Sequence, residues 1–300
     1  MMGKGLALGF ALLLAGLGIL HAQSVLGFPP GVFQSRGAID AAGGFAPTCT
    51  ESGNFLARTS GQDDTHKAAY DALICGLVAQ NSTISGTLFS RLDGLWMLRA
   101  ADTTVYKLNL ISSSFPLTQT GAVTFVANAG VTSDGMTGFY DTGFNPSTAS
   151  SPQYVQDSGT IAACTTAALT GGSGVFIGLS EGGVTSQLVD LGVISGIVNT
   201  NAGIIGAGAG AALYQVSRTG STTSDLYTNG SSDGSSVAPS AGLGNGNFYV
   251  LARDSSGTAG NFTTTEFTMV ALGASFSATD VANFRTLIAA YMAAIGSAAC

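Results

Sequence analysis

The last third of the chain, Ala211 to Ala299, leaves few options for how it can fold. It reads strand, turn, strand, turn, strand, strand, and then one amphipathic helix. LYQVSR (Leu213–Arg218) and DLYT (Asp225–Thr228) flank a turn at Thr219–Thr222, and Asn229-Gly230 follows, the strongest short-range hairpin signal. NFYVLAR (Asn247–Arg253) reads as a core strand and EFTMVALG (Glu266–Gly273) as another. Ser277 and Asp280 have capping-box spacing. Beyond them Val281, Phe284, Leu287, Ile288, Tyr291 and Ile295 share one helical face. This helix is expected to pack on the edge or base of the sheet and to stop near Gly296.

The composition fits many short strands joined by tight turns. Glycine accounts for 43 of 300 residues and hydrophobic residues for 45%, enough for a sizeable core. Only 9% are charged, against about 25% in ordinary soluble domains. The surface is therefore solvated by hydroxyls and backbone. A net charge of −7 with only 10 Lys and Arg provides no basic patch, which argues against a nucleic-acid partner.

Residues 1–24 carry one lysine, an apolar run Gly5–Leu20, and Ala22 at a plausible cleavage position. The run is shorter than the roughly 20 residues that span a bilayer. Three readings stay open: an assembly anchor packed through Gly5-x-x-x-Gly9 spacing, a cleaved secretory signal, or a membrane anchor. Residues 25–54, rich in Gly, Pro and Ala and without periodicity, read as an extended arm. Residues 55–300 form the domain. A helix is expected over Asp64–Ala79, with His66 on its polar side and Lys67–Asp71 as an i,i+4 pair. A short helical turn at Leu88–Leu92 leads into a strand around Leu95–Leu98. Trp96 there is expected in the core rather than as a sugar-stacking platform. Thr104–Ser112, Ala122–Ala127 and Gly138–Thr142 read as strands, with turns at Ser133–Gly135 and Gly143–Pro146. Between Thr160 and Ile205, apolar runs alternate with glycine clusters, as in successive strands. Gly206–Ala212 is either a loop or a closely packed strand.

No constellation of reactive residues emerges. Glu51, Glu181 and Glu266 are the only glutamates, and they lack the Glu-Asp-Glu alternation of jelly-roll sugar hydrolases. The histidines are His21, in the apolar leader, and His66, on a helix; no nucleophile elbow, P-loop or dinucleotide fingerprint is present. The chain is thus expected not to be an enzyme, with no catalytic residues and no cofactor. Cys49, Cys75, Cys164 and Cys300 form no CxxC pair, so a zinc site is not expected. The four allow three disulfide pairings or free thiols, and the terminal Cys300 can staple the tail to its own domain or to a neighbour. Asp141 and Asn145 are candidate calcium ligands, with turn hydrogen bonding as the plainer reading.

Five segments together resemble a family of bacteriophage and prophage virion proteins with a LamG-like, concanavalin-type jelly roll. They are Phe55–Val78, Arg91–Ile111, Phe139–Ala149 (FYDTGFNPSTA), Ser217–Gly230 (SRTGSTTSDLYTNG) and Phe248–Gly296. The resemblance implies a mainly β chain: an antiparallel β-sandwich jelly roll with a lead-in helix and a closing helix. It implies a virion location, in a tail, fibre or surface decoration; the alternative, which the apolar leader supports, is a secreted bacterial lectin-like adhesin, and the third is a glycan hydrolase. Its partners would be other virion proteins through residues 1–54, further copies of the chain, and host-surface glycan. By analogy of fold, Tyr140, Tyr154 and Tyr227 are the candidate glycan-stacking residues.

Overall fold

The computed structural model describes residues 44–166, 174–201, 205–207, 210–297 and 300. The expectations for residues 1–24, for the first part of the arm (25–43) and for parts of the glycine-rich stretch 206–212 lie outside these residues. Two sheets stack face to face. The first runs, edge to edge, through Ser231–Ser236, Thr223–Thr228, Leu213–Gly220, Gly159–Thr165, Phe267–Gly273, Gly130–Ser133 and Val123–Val126, with Leu92–Met97 also paired to Phe267–Gly273. The second runs through Ile205–Ala207, Ile194–Thr200, Val184–Asp190, Gly174–Glu181, Tyr249–Val250, Phe139–Asp141 and Thr118–Thr120. A short hairpin, Arg253–Ser255 with Thr258–Gly260, joins the second sheet by a parallel pairing to Gly174–Glu181. The expected β-sandwich with flanking helices is the observed fold.

The helices form a third layer over the outer face of the first sheet. They are α1 (Thr50–Leu56), α2 (Asp64–Ala79) and α3 (Ala278–Ala294). This explains the unbroken apolar runs. Along Leu92–Met97, Trp96 points into the core between the sheets, whereas Leu95 and Met97 point into the core beneath the helices. The strand Gly159–Thr165 divides in the same way, Ile161 and Ala163 against Ala162 and Cys164. A sheet covered on both faces has no polar side to alternate with. Trp96 is fully buried, and its indole N–H donates to the Phe115 carbonyl at 3.0 Å.

The two long helices follow their sequence signals closely. Asp63 caps α2, its carboxylate accepting the His66 N–H at 2.9 Å. Ser277 and Asp280 form a reciprocal capping box on α3. Asp280 also accepts from the Ser82 hydroxyl and the Thr83 N–H, both at 2.9 Å, so the end of α2 is tied to the start of α3. At Gly76 the helices approach so closely that a Cβ would lie 2.6 Å from Leu287 Cδ2. Tyr70 sits between Phe55 and Tyr291, with ring centroids 4.9 and 5.1 Å away. No helix among the described residues is long and apolar enough to cross a membrane.

Several expectations are corrected. The arm 25–54 is not extended throughout, because α1 begins at Thr50. His66 is buried; its ring nitrogens face Asp63 Oδ2 at 2.8 Å and Asn128 Oδ1 at 2.9 Å, so it joins α2 to the loop before Gly130. Lys67 pairs with Asp64 rather than Asp71. Asp71 is fully buried and accepts the Thr48 N–H and hydroxyl at 2.8 and 2.7 Å. Thr104–Ser112 is not a strand. Asp102 accepts the N–H groups of Thr104 and Val105 and starts a 3₁₀ turn at Val105–Lys107. Asn109 Oδ1 then accepts the N–H groups of Leu95 and Ile111 where a ladder would otherwise form. Asn247–Arg253 is broken at Leu251, whose φ of 70° turns the chain, leaving the short strands Tyr249–Val250 and Arg253–Ser255. The closing helix covers the face of the first sheet, not its edge, because that face presents Ala162, Cys164, Leu213, Met269 and Ala271 to it.

A pH dependence arises from Asp93, at the bulge where Leu92–Met97 joins Phe267–Gly273. It accepts the N–H groups of Gln153 and Tyr154, both at 2.7 Å. Burial outweighs these bonds and pushes the carboxyl up to about 6. A group with a raised folded value binds its proton in the native state first, so its penalty appears as pH rises from about 4 through 6. Relative to Asp93→Asn, wild-type stability is expected to fall by about 2–3 kcal/mol between pH 4 and pH 7. Urea unfolding of both proteins across that range checks it; a constant difference would refute the assignment.

Candidate functional site

The outward face of the second sheet carries a transverse row of residues set by strand register. Thr118 pairs with Asp141, Asp141 with Tyr249, Tyr249 with Gly178, Gly178 with Gln187, and Gln187 with Ile197. Cross-strand partners share a face. Tyr140 and Val250, one residue away in their strands, point into the core between the sheets. Asp141 and Tyr249 therefore point away from it.

Tyr249 is half-buried and lies against Phe139, with ring centroids 4.6 Å apart; Phe262 lies 6.3 Å from Phe139. On one side Asn247 Nδ2 donates to both oxygens of Asp141, at 3.0 and 3.2 Å. On the other, Arg253 also registers with Gly178, and its Nη1 donates to Gln187 Oε1 at 3.4 Å. Gly178 makes room for this arrangement. A Cβ there would lie 2.7 Å from Val175 Cγ1, 2.9 Å from Gln187 Cβ and 3.4 Å from Arg253 Cγ, so a larger residue would displace these neighbours. Burial, followed by the nearby carboxylates Asp254 and Asp141, raises the Tyr249 hydroxyl above the ordinary tyrosine range, so it stays protonated and can donate. Burial likewise raises Asp254, which accepts the Gly257 N–H at 2.8 Å. The arrangement is an aromatic platform between an amide–carboxylate pair and a guanidinium–amide pair, groups able to stack on and hydrogen-bond a hydroxylated ring.

The three tyrosines expected to contact glycan are elsewhere. Tyr140 and Tyr154 are fully buried between the sheets and Tyr227 is buried beneath the helices. The Tyr140 hydroxyl faces that of Tyr106 at 2.8 Å, and the Tyr154 hydroxyl lies 2.8 Å from Ser186 Oγ and 3.0 Å from Asn199 Oδ1. None is open to a ligand, because each lies on the inward side of its strand or, for Tyr154, reaches the core from a loop. The candidate calcium ligands are spent on turns: Asp141 Oδ1 accepts the Gly143 N–H at 2.8 Å and Asn145 Oδ1 the Ser147 N–H at 3.0 Å. The four cysteines are paired, Cys49 with Cys75 and Cys164 with Cys300. Tyr249 was hidden within a run read as one core strand. Its position between inward Phe248 and Val250 is the signal that marks it.

A separate cleft of ≈440 Å³ opens between α1 and the segment 110–113, lined by Glu51, Asn54, Phe55, Arg58, Phe89 and Ile111 among others. Arg58 closes one side of it, donating to the Ser112 and Asn109 carbonyls at 2.9 and 2.7 Å.

No protein-family model matches the chain, and no curated protein does. Among solved structures, a Trypanosoma rangeli sialidase bound to 2,3-difluoro-KDN is 13% identical, with a TM-score of 0.47, over 74% of this chain and 38% of that one. The binding domain of botulinum neurotoxin serotype D is 10% identical, with a TM-score of 0.44, over 66% of this chain and 51% of that one. The chain thus spans well under two thirds of either. Likenesses this remote concern the fold alone. The expectation that the chain is not an enzyme is not upheld, since the sialidase among these structures is an enzyme.

Proposed function

We propose that the chain is an extracellular attachment protein whose second sheet binds cell-surface glycan through the outward face around Tyr249. The observation that carries this reading is the half-buried Tyr249–Phe139 pair, flanked by Asp141–Asn247 and Arg253–Gln187. Two disulfides support residence in an oxidising compartment. The sequence resemblance supports display on a phage particle, with residues 1–54 joining the domain to other virion proteins and to further copies of itself.

The full-length chain is expected to bind a subset of structures on a glycan array. Tyr249→Ala is expected to weaken the best of them about tenfold or more, the loss of one stacked ring, with the melting temperature little changed. Binding that is indifferent to Tyr249 would move the site elsewhere, with the α1 cleft the first alternative. Immunodetection of the protein in purified particles tests the virion placement.

A further inference from the structure

The same face also indicates which glycans suit it. Arg253 is half-buried, and its Nε donates to Ser255 Oγ at 3.1 Å and its Nη1 to Gln187 at 3.4 Å. Among the described residues the ion pairs are His66–Asp63 and Lys67–Asp64, and none involves Arg253. This is notable in a chain with 17 acidic and 10 basic residues. Arg58, Arg91 and Arg218 direct their guanidinium groups at backbone carbonyls. Among the described residues Arg253 makes hydrogen bonds to side chains alone, through Nε and Nη1, which leaves the N–H groups of Nη2 for a ligand. A planar fork with free N–H groups fits a carboxylate in a bidentate manner.

Its placement gives a direction to any ligand. Tyr249 and Arg253 both register opposite Gly178, which places the two residues on one face. Asp141 lies on the far side of Tyr249, in register with it and bonded to Asn247. The carboxylates beside the Tyr249 hydroxyl are Asp254, which is buried, and Asp141; the cation in register with this face is Arg253. A carboxylate on a sugar ring stacked on Tyr249 is repelled by Asp141 and drawn to Arg253, and hydroxyls meet Asn247.

We propose that this face binds glycans whose sugars bear carboxylates, such as uronic or nonulosonic acids, with Arg253 as the carboxylate-binding residue; this rests on the glycan-binding reading above. The test measures binding of the full-length protein to polygalacturonate, polysialate, carboxyl-reduced polygalacturonate, dextran and dextran sulfate. The carboxylated polymers are expected to bind about tenfold or more tightly than the reduced polymer and dextran. Arg253→Gln should bring that ratio close to one, Arg253→Lys should restore part of it, and Tyr249→Ala should weaken every polymer. Near-ultraviolet circular dichroism confirms that each variant keeps its fold. Equal binding of carboxylated and reduced polymers would overturn the acid preference and leave glycan binding intact. Binding of dextran sulfate as tight as that of the carboxylated polymers would replace carboxylate recognition with general anion attraction. A preference that survives Arg253→Gln would overturn the assignment to Arg253, and no binding to any polymer or array glycan would overturn both readings.

Discussion

Arg218→Ala is expected to destabilise the fold by about 4 kcal/mol and to lower the melting temperature by roughly 10 °C. Arg218 is fully buried and points from the first sheet into the space between the sheets. Its Nε donates to the Val198 carbonyl of the second sheet at 2.7 Å. Nη1 reaches the carbonyls of Gly220, Ser221 and Ala238, each at 3.2 Å, and Nη2 also reaches that of Ala238 at 3.2 Å. One side chain thus joins both sheets, its own hairpin turn and the loop after Ser231–Ser236. Alanine leaves those carbonyls in the interior without donors and a cavity among them. Burial lowers the guanidinium pKa, yet it stays charged, compensated by oriented carbonyls in place of a carboxylate. Lysine keeps the charge but cannot fork, so Arg218→Lys should recover less than half the loss. Denaturant unfolding of the three proteins measures it; an alanine variant within about 1 kcal/mol of wild type would show that water replaces the fork.

What the sequence revealed follows from how local each determinant is. The helices α2 and α3 are fixed by caps and periodic apolar residues within their own segments, so Asp63, Ser277 and Asp280 could be read from the letters. The turn at Asn229-Gly230 is equally local, both residues having positive φ, 51° and 84°. Thr104–Ser112 failed because its alternation is overridden by two side chains, Asp102 and Asn109, that satisfy the backbone before any strand can.

The candidate site was less legible because it depends on which way a strand faces. Tyr140, Tyr154 and Tyr227 looked available, since each sits beside polar or turn residues. Facing is decided by the helix layer and by a second sheet assembled from strands far apart in sequence. Asp141, Tyr249, Gly178 and Gln187 come from four separate strands, and nothing local brings them into one row. The disulfides were open for the same reason. Cys75 lies on α2 and Cys164 on a central strand, and only the packing of α2 and α3 on that sheet selects their partners.

Those pairings carry the second large effect. Cys164 is fully buried on the helix-covered face of the first sheet, where the Thr268 hydroxyl contacts its sulfur at 2.7 Å. Its partner Cys300 follows the end of α3 at Ala294, where Gly296 is left-handed with φ 75° and the Ser297 N–H returns to the Met292 carbonyl. The bond closes a loop of 136 residues, and such long closures stabilise by about 3–5 kcal/mol through the unfolded chain. Cys300→Ser is therefore expected to lower stability by that amount, with unfolding of the α3 layer first. Cys49–Cys75, spanning 26 residues and pinning the segment before α1 to α2, is expected to contribute about 3 kcal/mol. Because both bonds are intramolecular, non-reducing electrophoresis should show a monomer band that migrates faster than the reduced chain. A covalent dimer lost on Cys300→Ser would instead assign the terminal cysteine to a neighbouring copy, and an unchanged stability would mean that the apolar face of α3 alone holds the closing layer.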